Sequence, residues 1–218
     1  MEQYKSGDRL VEAGTEFLSQ DRQADSIYTV LSGWAIRYQW LSDGSRQILD
    51  FALPGSILGF EPEAMDLNRH SAEALTKLRL CILPRSKLIQ LLAEFPEMGI
   101  KLASIGRSEQ ITLAQHLSNV GRRRARARIT NLMMELLVRT RATSSNVIGD
   151  TIPFPLSQEV IGDALGLTSV HVNRMMRELR EDGIAVVRSG KLTILDEERL
   201  MEEAELDHRH LATPMEVN

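Results

Sequence analysis

Four side chains in one short stretch could do chemistry together: Val170, Asn173, Arg174 and Arg177. They follow one another at i, i+3, i+4 and i+7, so on a helix they share one face. Val172, Met175, Met176 and Leu179 repeat that spacing two residues later. At about 100° per residue the two sets stand roughly 200° apart. The second set is apolar and belongs in a core, which leaves the first set facing solvent. An aliphatic group, an amide and two guanidiniums suit the edges of base pairs in a major groove. Arginine can make two hydrogen bonds to guanine and asparagine two to adenine, and an aliphatic group can touch the thymine methyl. Double-stranded DNA is therefore the expected partner.

The elements that must hold this face are legible around it. Ser157 is a good helix N-cap, and Glu159 in the first turn suits the helix dipole. Val160, Ile161, Ala164 and Leu165 form the inner side of a short helix ending at Gly166, which can take the left-handed conformation of a tight turn. Thr168 caps the next helix, and two helices joined so closely form a helix-turn-helix. The second helix, residues 168–181, is the expected recognition helix. Beyond Asp182-Gly183, two β-rich runs flank Arg188-Ser189-Gly190, a hairpin whose basic tip (Arg188, Lys191) suits phosphates. Ser157, Gln158, Thr168, Ser169 and His171 border the reading face and complete the expected DNA contacts.

Net charge opposes this reading until it is divided. The 218-residue chain carries −4 overall, but residues 96–141 carry +6 and residues 196–218 carry −6. Local charge governs, because screening erases contributions beyond roughly 8 Å at physiological salt. The five arginines at 122, 123, 124, 126 and 128 would spread over more than half of one helix. They are therefore expected mainly solvated or paired with carboxylates. The lone Cys81 excludes an intrachain disulfide and any cysteine-built metal site, which fits a reducing cytoplasm. No run is long enough to cross a bilayer, and neither a membrane partner nor a signal peptide is expected.

Residues 10–83 read as many short strands: Ile27–Leu31, Ala35–Trp40 and a hairpin at Ser42-Asp43-Gly44-Ser45 returning through Gln47–Phe51. That pattern predicts a small barrel or sandwich, with Trp34 and Trp40 filling or capping it. The pattern changes at Pro84. A short helix over 86–95 precedes a long one over 97–120, about 36 Å in length. Met98, Leu102, Ile105, Leu113, Leu117 and Val120 form its apolar stripe, and the length predicts that this stripe faces a second copy of the chain. Another helix is expected over 122–141 and a polar loop over 143–150.

Pro155 to Thr168, then Val172-Asn173-Arg174 and Leu179 to Ile184, resemble the Crp–Fnr superfamily of bacterial regulators. Val30-Leu31-Ser32-Gly33, Asp43-Gly44, Leu53-Pro54-Gly55 and Gly59 resemble that family's cyclic-nucleotide-binding-like β-roll. The resemblance covers nearly the whole chain. It implies an α+β fold: a jelly-roll-like β-roll over 1–95, a dimerisation helix over 96–121, a winged helix-turn-helix over 122–200 and an acidic, mobile tail over 201–218. It also implies a homodimer on a two-fold symmetric operator, and RNA polymerase as a partner if the chain activates transcription. The family's base-reading positions fall on Val170, Asn173 and Arg174. Many relatives have glutamate at the first and serine at the second, so a different operator is expected.

The sensor is less legible. Cyclic-AMP-binding members have a glutamate soon after a glycine and an Arg-Ser-Ala about ten residues later. Here Gly59 is followed by Phe60, and Ser71-Ala72 is preceded by His70, with Arg69 and Glu61 out of register. Neutral imidazole replaces a guanidinium fork poorly, so cyclic-AMP sensing is not expected. Gly59, Glu61, Arg69, His70 and Ser71 remain the candidate effector residues, with His70 read as a polar loop residue. The cysteine cluster of oxygen-sensing relatives is missing, and neither a metal nor a cofactor is expected. His208 and His210 in the tail resemble a metal motif only in spacing. An enzyme on the roll would need a His-x-His and a glutamate that residues 10–83 do not supply.

Overall fold

The computed structural model describes residues 4–60, 67–143 and 149–205. The chain divides into two compact units, 1–113 and 114–218, with the boundary inside the longest helix.

In the first unit the expected strands form, within one residue of their expected bounds: β3 (Ser26–Ser32), β4 (Ala35–Trp40) and β5 (Arg46–Ala52). They join β1 (Gly7–Val11), β2 (Glu16–Leu18), β6 (Ile57–Leu58), β7 (Ser71–Ala74) and β8 (Leu78–Pro84). Two four-stranded antiparallel sheets result, ordered β1-β8-β3-β6 and β2-β7-β4-β5. Alternation decides their inner faces. Val30, Leu58 and Leu80 from one sheet and Phe17, Ala35, Ala52 and Ala72 from the other share one buried cluster. This is the jelly-roll-like β-roll. Trp34 is buried in it, whereas Trp40 is half exposed and lies edge-on to Tyr38 at the rim. A bulge in β4–β5 pairs Arg37 with Asp50.

α1 (Leu88–Glu94) precedes α2 (Glu97–Arg122), a 26-residue helix about 39 Å long. In the second unit, α3 (Ala125–Thr143), α4 (Gln158–Leu165) and α5 (Ser169–Glu181) bury Ile129, Leu132, Leu137, Ile161, Leu165, Val172 and Leu179 together. A three-stranded sheet, β10 (Ala185–Arg188), β11 (Lys191–Ile194) and β9 (Thr151–Pro153), lies in that order in the same unit. β9 and α6 (Glu197–Glu203) are additions to the sequence reading. The mobile tail expected from residue 201 does not hold for residues 201–204, because α6 runs to Glu203, Leu200 in it is fully buried and Ala204 follows it into the core. His208, His210 and the rest of that tail lie outside the described residues.

The arginine run is not on one helix. α2 ends at Arg122 and α3 starts at Ala125, so the five arginines straddle a break. Arg126 reaches Glu178, Asp182 and Glu203, with Nη2 at 2.6 Å from Asp182. Arg128 donates to the carbonyls of Arg123 (2.8 Å) and Leu165 (3.0 Å). Arg123 bonds the Glu205 carbonyl, while Arg122 and Arg124 are exposed without an ion pair among the described residues.

Candidate nucleic-acid interface

Local chemistry builds the helix-turn-helix. The Ser157 hydroxyl accepts from the Val160 amide at 3.1 Å and ends the extended chain where α4 begins. At the other end Gly166 has φ 64° and ψ 42°, which a side chain would strain, and the chain turns at once. The Thr168 hydroxyl then accepts from the His171 amide at 3.2 Å and starts α5. Inside the turn the Leu167 amide donates to the Gly162 carbonyl at 3.1 Å. A Cβ at Gly162 would lie 2.5 Å from the Leu167 carbonyl oxygen, so only glycine lets the two helices approach this closely.

α5 is two-faced in the expected sense. Val172, Met175 and Leu179 are buried and Met176, expected with them, is half-buried, while Val170, Asn173, Arg174 and Arg177 are exposed, Val170 at 79%. Arg174 Nη2 lies 2.9 Å from His171 Nε2, and its Nε is 3.9 Å from Glu178. Arg177 pairs with Glu181 at 3.8 Å. Exposed i,i+4 pairs contribute only about 0.3–0.5 kcal/mol, so both guanidiniums can leave these partners for a base or a phosphate at little cost. Asn173 Nδ2 donates to Gln158 Oε1 at 3.2 Å across the turn. The carboxylates at the end of α5, Glu178 and the C-cap Asp182, both face the guanidinium of Arg126, which partly offsets their charge.

The wing is the β10–β11 hairpin, turned by Ser189 (φ 50°) and Gly190 (φ 70°). Arg188 and Lys191 are direct cross-strand partners, both exposed. Like charges placed opposite each other destabilise a hairpin by a few tenths of a kcal/mol. An anionic partner would turn that cost into a gain. Ser157, Gln158, Thr168 and Ser169 are exposed around the turn, and His171 is half-buried.

The roll carries a separate cleft of about 110 Å³, lined by Arg37, Gly59, Phe60 and His70 from the strands' side and by Leu102, Ile105 and Glu109 of α2. Arg37 donates to Asp50 at 2.8 Å and to Glu109 at 3.2 Å. His70 stands in the bend just before β7, partly buried against the cleft. Burial, reinforced by the charge of Arg37, pushes its imidazole down to about 4, and its buried Nε2 has no hydrogen-bond partner among the described residues. Of the other candidate effector residues, Gly59 lines the cleft, Arg69 is exposed, and Ser71 is buried and accepts from the Gln20 amide. Glu61 lies outside the described residues. Arg37, Asp50 and Glu109 were not singled out from sequence. They come from β4, β5 and α2: the register of β4 on β5 joins Arg37 to Asp50, and the passage of α2 beside the strands adds Glu109.

Two family models match the chain: a cyclic nucleotide-binding domain over residues 8–95 and a Crp-like helix-turn-helix domain over 127–203. The nitrogen fixation regulation protein FixK of Rhizobium meliloti is 32% identical over 191 residues, covering 85% of this chain and 82% of that protein. FixK of Azorhizobium caulinodans is 30% identical, covering 83% and 72%. This chain is a Crp–Fnr regulator. The solved structure of FixK2 from Bradyrhizobium japonicum superimposes with a TM-score of 0.82 at 26% identity, covering 92% of this chain and 98% of that one. The transcriptional activator protein FnrL of Cereibacter sphaeroides is 27% identical over 90% of this chain and 79% of its own. As a Crp–Fnr regulator, the chain is a DNA-binding protein of transcription control with a helix-turn-helix and a cyclic-nucleotide-binding-like domain.

The domain name implies a cyclic nucleotide, and the described residues that line this cleft do not fit one. A phosphodiester needs a free guanidinium, and Arg37 in the cleft is already shared by two carboxylates. His70 is neutral at physiological pH and offers no charge. The cleft volume also falls well below the roughly 300–1,000 Å³ of ordinary ligand pockets.

The depressed His70 value makes a stability prediction. Above about pH 6.5 the imidazole is neutral folded and unfolded, and its contribution is complete. As pH falls from about 6.5 to 4 the unfolded chain takes up a proton that the folded chain resists, so stability is lost. Denaturant unfolding at pH 7 and pH 4.5 should show His70→Gln losing about 2–3 kcal/mol less than the parent between the two. Equal losses would mean that the imidazole is hydrated.

Proposed function

We propose that the chain acts as a homodimer on a two-fold symmetric operator, each protomer laying residues 168–181 in the major groove and its wing on the phosphates. The observation that carries this is the exposure of Val170, Asn173, Arg174 and Arg177 on one side of a helix whose other side is core. Ser157, Thr168, Ser169, Arg188 and Lys191 border the backbone-facing surface, Gln158 stands beside Asn173, and His171 beside Arg174. Such a protein works where the chromosome is, in the cytoplasm, without catalysis. Relatives described as transcriptional activators support activation, with RNA polymerase as partner. The cleft of the β-roll is the place where an unidentified signal would act.

The dimer seam runs along α2. Leu102 and Ile105 line the roll's cleft, and Met98 is half-buried. Gly99, Ala103, Gly106, Gln110, Leu113, Leu117 and Val120 alternate at four and three residues, the spacing of a coiled-coil seam. Leu117 is 75% exposed and Leu113, one turn before it, 40%, so the two make a neighbouring apolar patch of the kind that marks a protein–protein contact. Leu117→Glu should convert the dimer to monomer in sedimentation while leaving the helix content unchanged. Operator affinity, read by fluorescence anisotropy, should fall at least tenfold, since half-sites one turn apart need both recognition helices. A Leu117→Glu chain that stays dimeric and binds normally would remove the seam from this position.

A further inference from the structure

The base-reading amide of Asn173 is not free: it is tied across the helix-helix turn to a residue of the preceding helix. We propose that Gln158 is a positioning residue that sets the amide of Asn173 to select adenine and reject guanine at one base pair of each half-site. This rests on α5 entering the major groove.

An asparagine amide has two N–H donors and one carbonyl acceptor, and its terminal torsion is soft, with two nearly equivalent orientations. Left alone on an exposed helix face, it can turn its NH2 group toward the two acceptors of guanine as well as toward the acceptor and donor of adenine. In this structure one N–H is spent on Gln158 Oε1 at 3.2 Å. What remains for the groove is one donor and one acceptor side by side, complementary to adenine N7 and N6–H. Against guanine the same pair would bring its carbonyl onto an acceptor.

Gln158 is well placed for this part. It is the first residue of α4, directly after the Ser157 cap, and the close approach at Gly162 holds α4 against the start of α5. The link therefore spans two helices whose separation is fixed by backbone. Arg174 has a counterpart within α5 in His171, at 2.9 Å. The two reading side chains are thus both oriented by residues that need not touch a base.

The test uses the full-length protein and randomised duplexes, from which the preferred operator is selected, followed by anisotropy titrations on single-base variants. The parent should prefer adenine at one pair per half-site, and Asn173→Ala should abolish that preference, about a 5- to 150-fold loss of discrimination. Gln158→Ala should reduce discrimination at that same pair by about 2- to 12-fold, chiefly through improved binding of guanine, with preferences elsewhere unchanged. Gln158→Glu keeps the acceptor and should keep the preference, although its charge lowers affinity for all sequences. In the Asn173→Ala background, Gln158→Ala should change nothing further at that pair. Uniform weakening of all duplexes by Gln158→Ala, or additive effects of the two substitutions, would overturn the proposal and make Gln158 a backbone contact. A parent that selects no sequence at all would instead overturn the DNA reading itself.

Discussion

Arg174→Ala should weaken binding to the preferred operator by about 1–3 kcal/mol and relax the preference at a single base pair. The guanidinium stands exposed on the outward face of α5, held among the described residues by the His171 ring and a distant Glu178 carboxylate. Neither partner is stranded by its removal, since Glu178 keeps Arg126 at 3.7 Å and His171 can turn to water. The thermal midpoint should therefore hardly move, while discrimination falls. Anisotropy titrations on the operator and on random duplex separate the possibilities. If both duplexes lose the same factor, Arg174 touches only phosphate, and the salt dependence should then flatten by about one unit of slope.

Gly162→Val should cost both stability and binding. Its first side-chain atom would meet the Leu167 carbonyl oxygen at 2.5 Å, and that oxygen is backbone in a turn already pinned by the Leu167–Gly162 hydrogen bond. Overpacking of this sort costs about 1–3 kcal/mol, sometimes more, because no side chain can swing away. The relief available is to move α5 away from α4, which carries the recognition face with it. Operator affinity should then drop even at temperatures where the variant is folded. Gly121→Ala is the control: space is open around Gly121 in the last turn of α2, and alanine there should gain a few tenths of a kcal/mol, below the about 0.5–1 kcal/mol of a mid-helix site. Were Gly162→Val as stable as the parent by denaturant unfolding, the turn would be looser than its geometry requires.

Both expectations depend on contacts of different range, and this difference separates what could be read along the chain. The amino-acid order alone determined the helix-turn-helix and its two faces. A cap bonds the amide three residues on, a glycine turns the chain where it stands, and helical periodicity sorts Val172 from Asn173 without reference to anything distant. The same holds for the hairpins at Asp43-Gly44 and Ser189-Gly190 and for the length of α2. Tertiary structure alone decided the rest. Arg37 meets Asp50 because a bulge sets the register of β4 on β5, and meets Glu109 seventy-two residues away because α2 passes that point of the roll. His70 is pushed down in pKa by neighbours that are remote in sequence, and Gly162 is obligatory only because Leu167 returns over it. Interactions within a few residues are written in local order. Those that depend on register, burial or the closure of a loop exist only once the whole unit has folded.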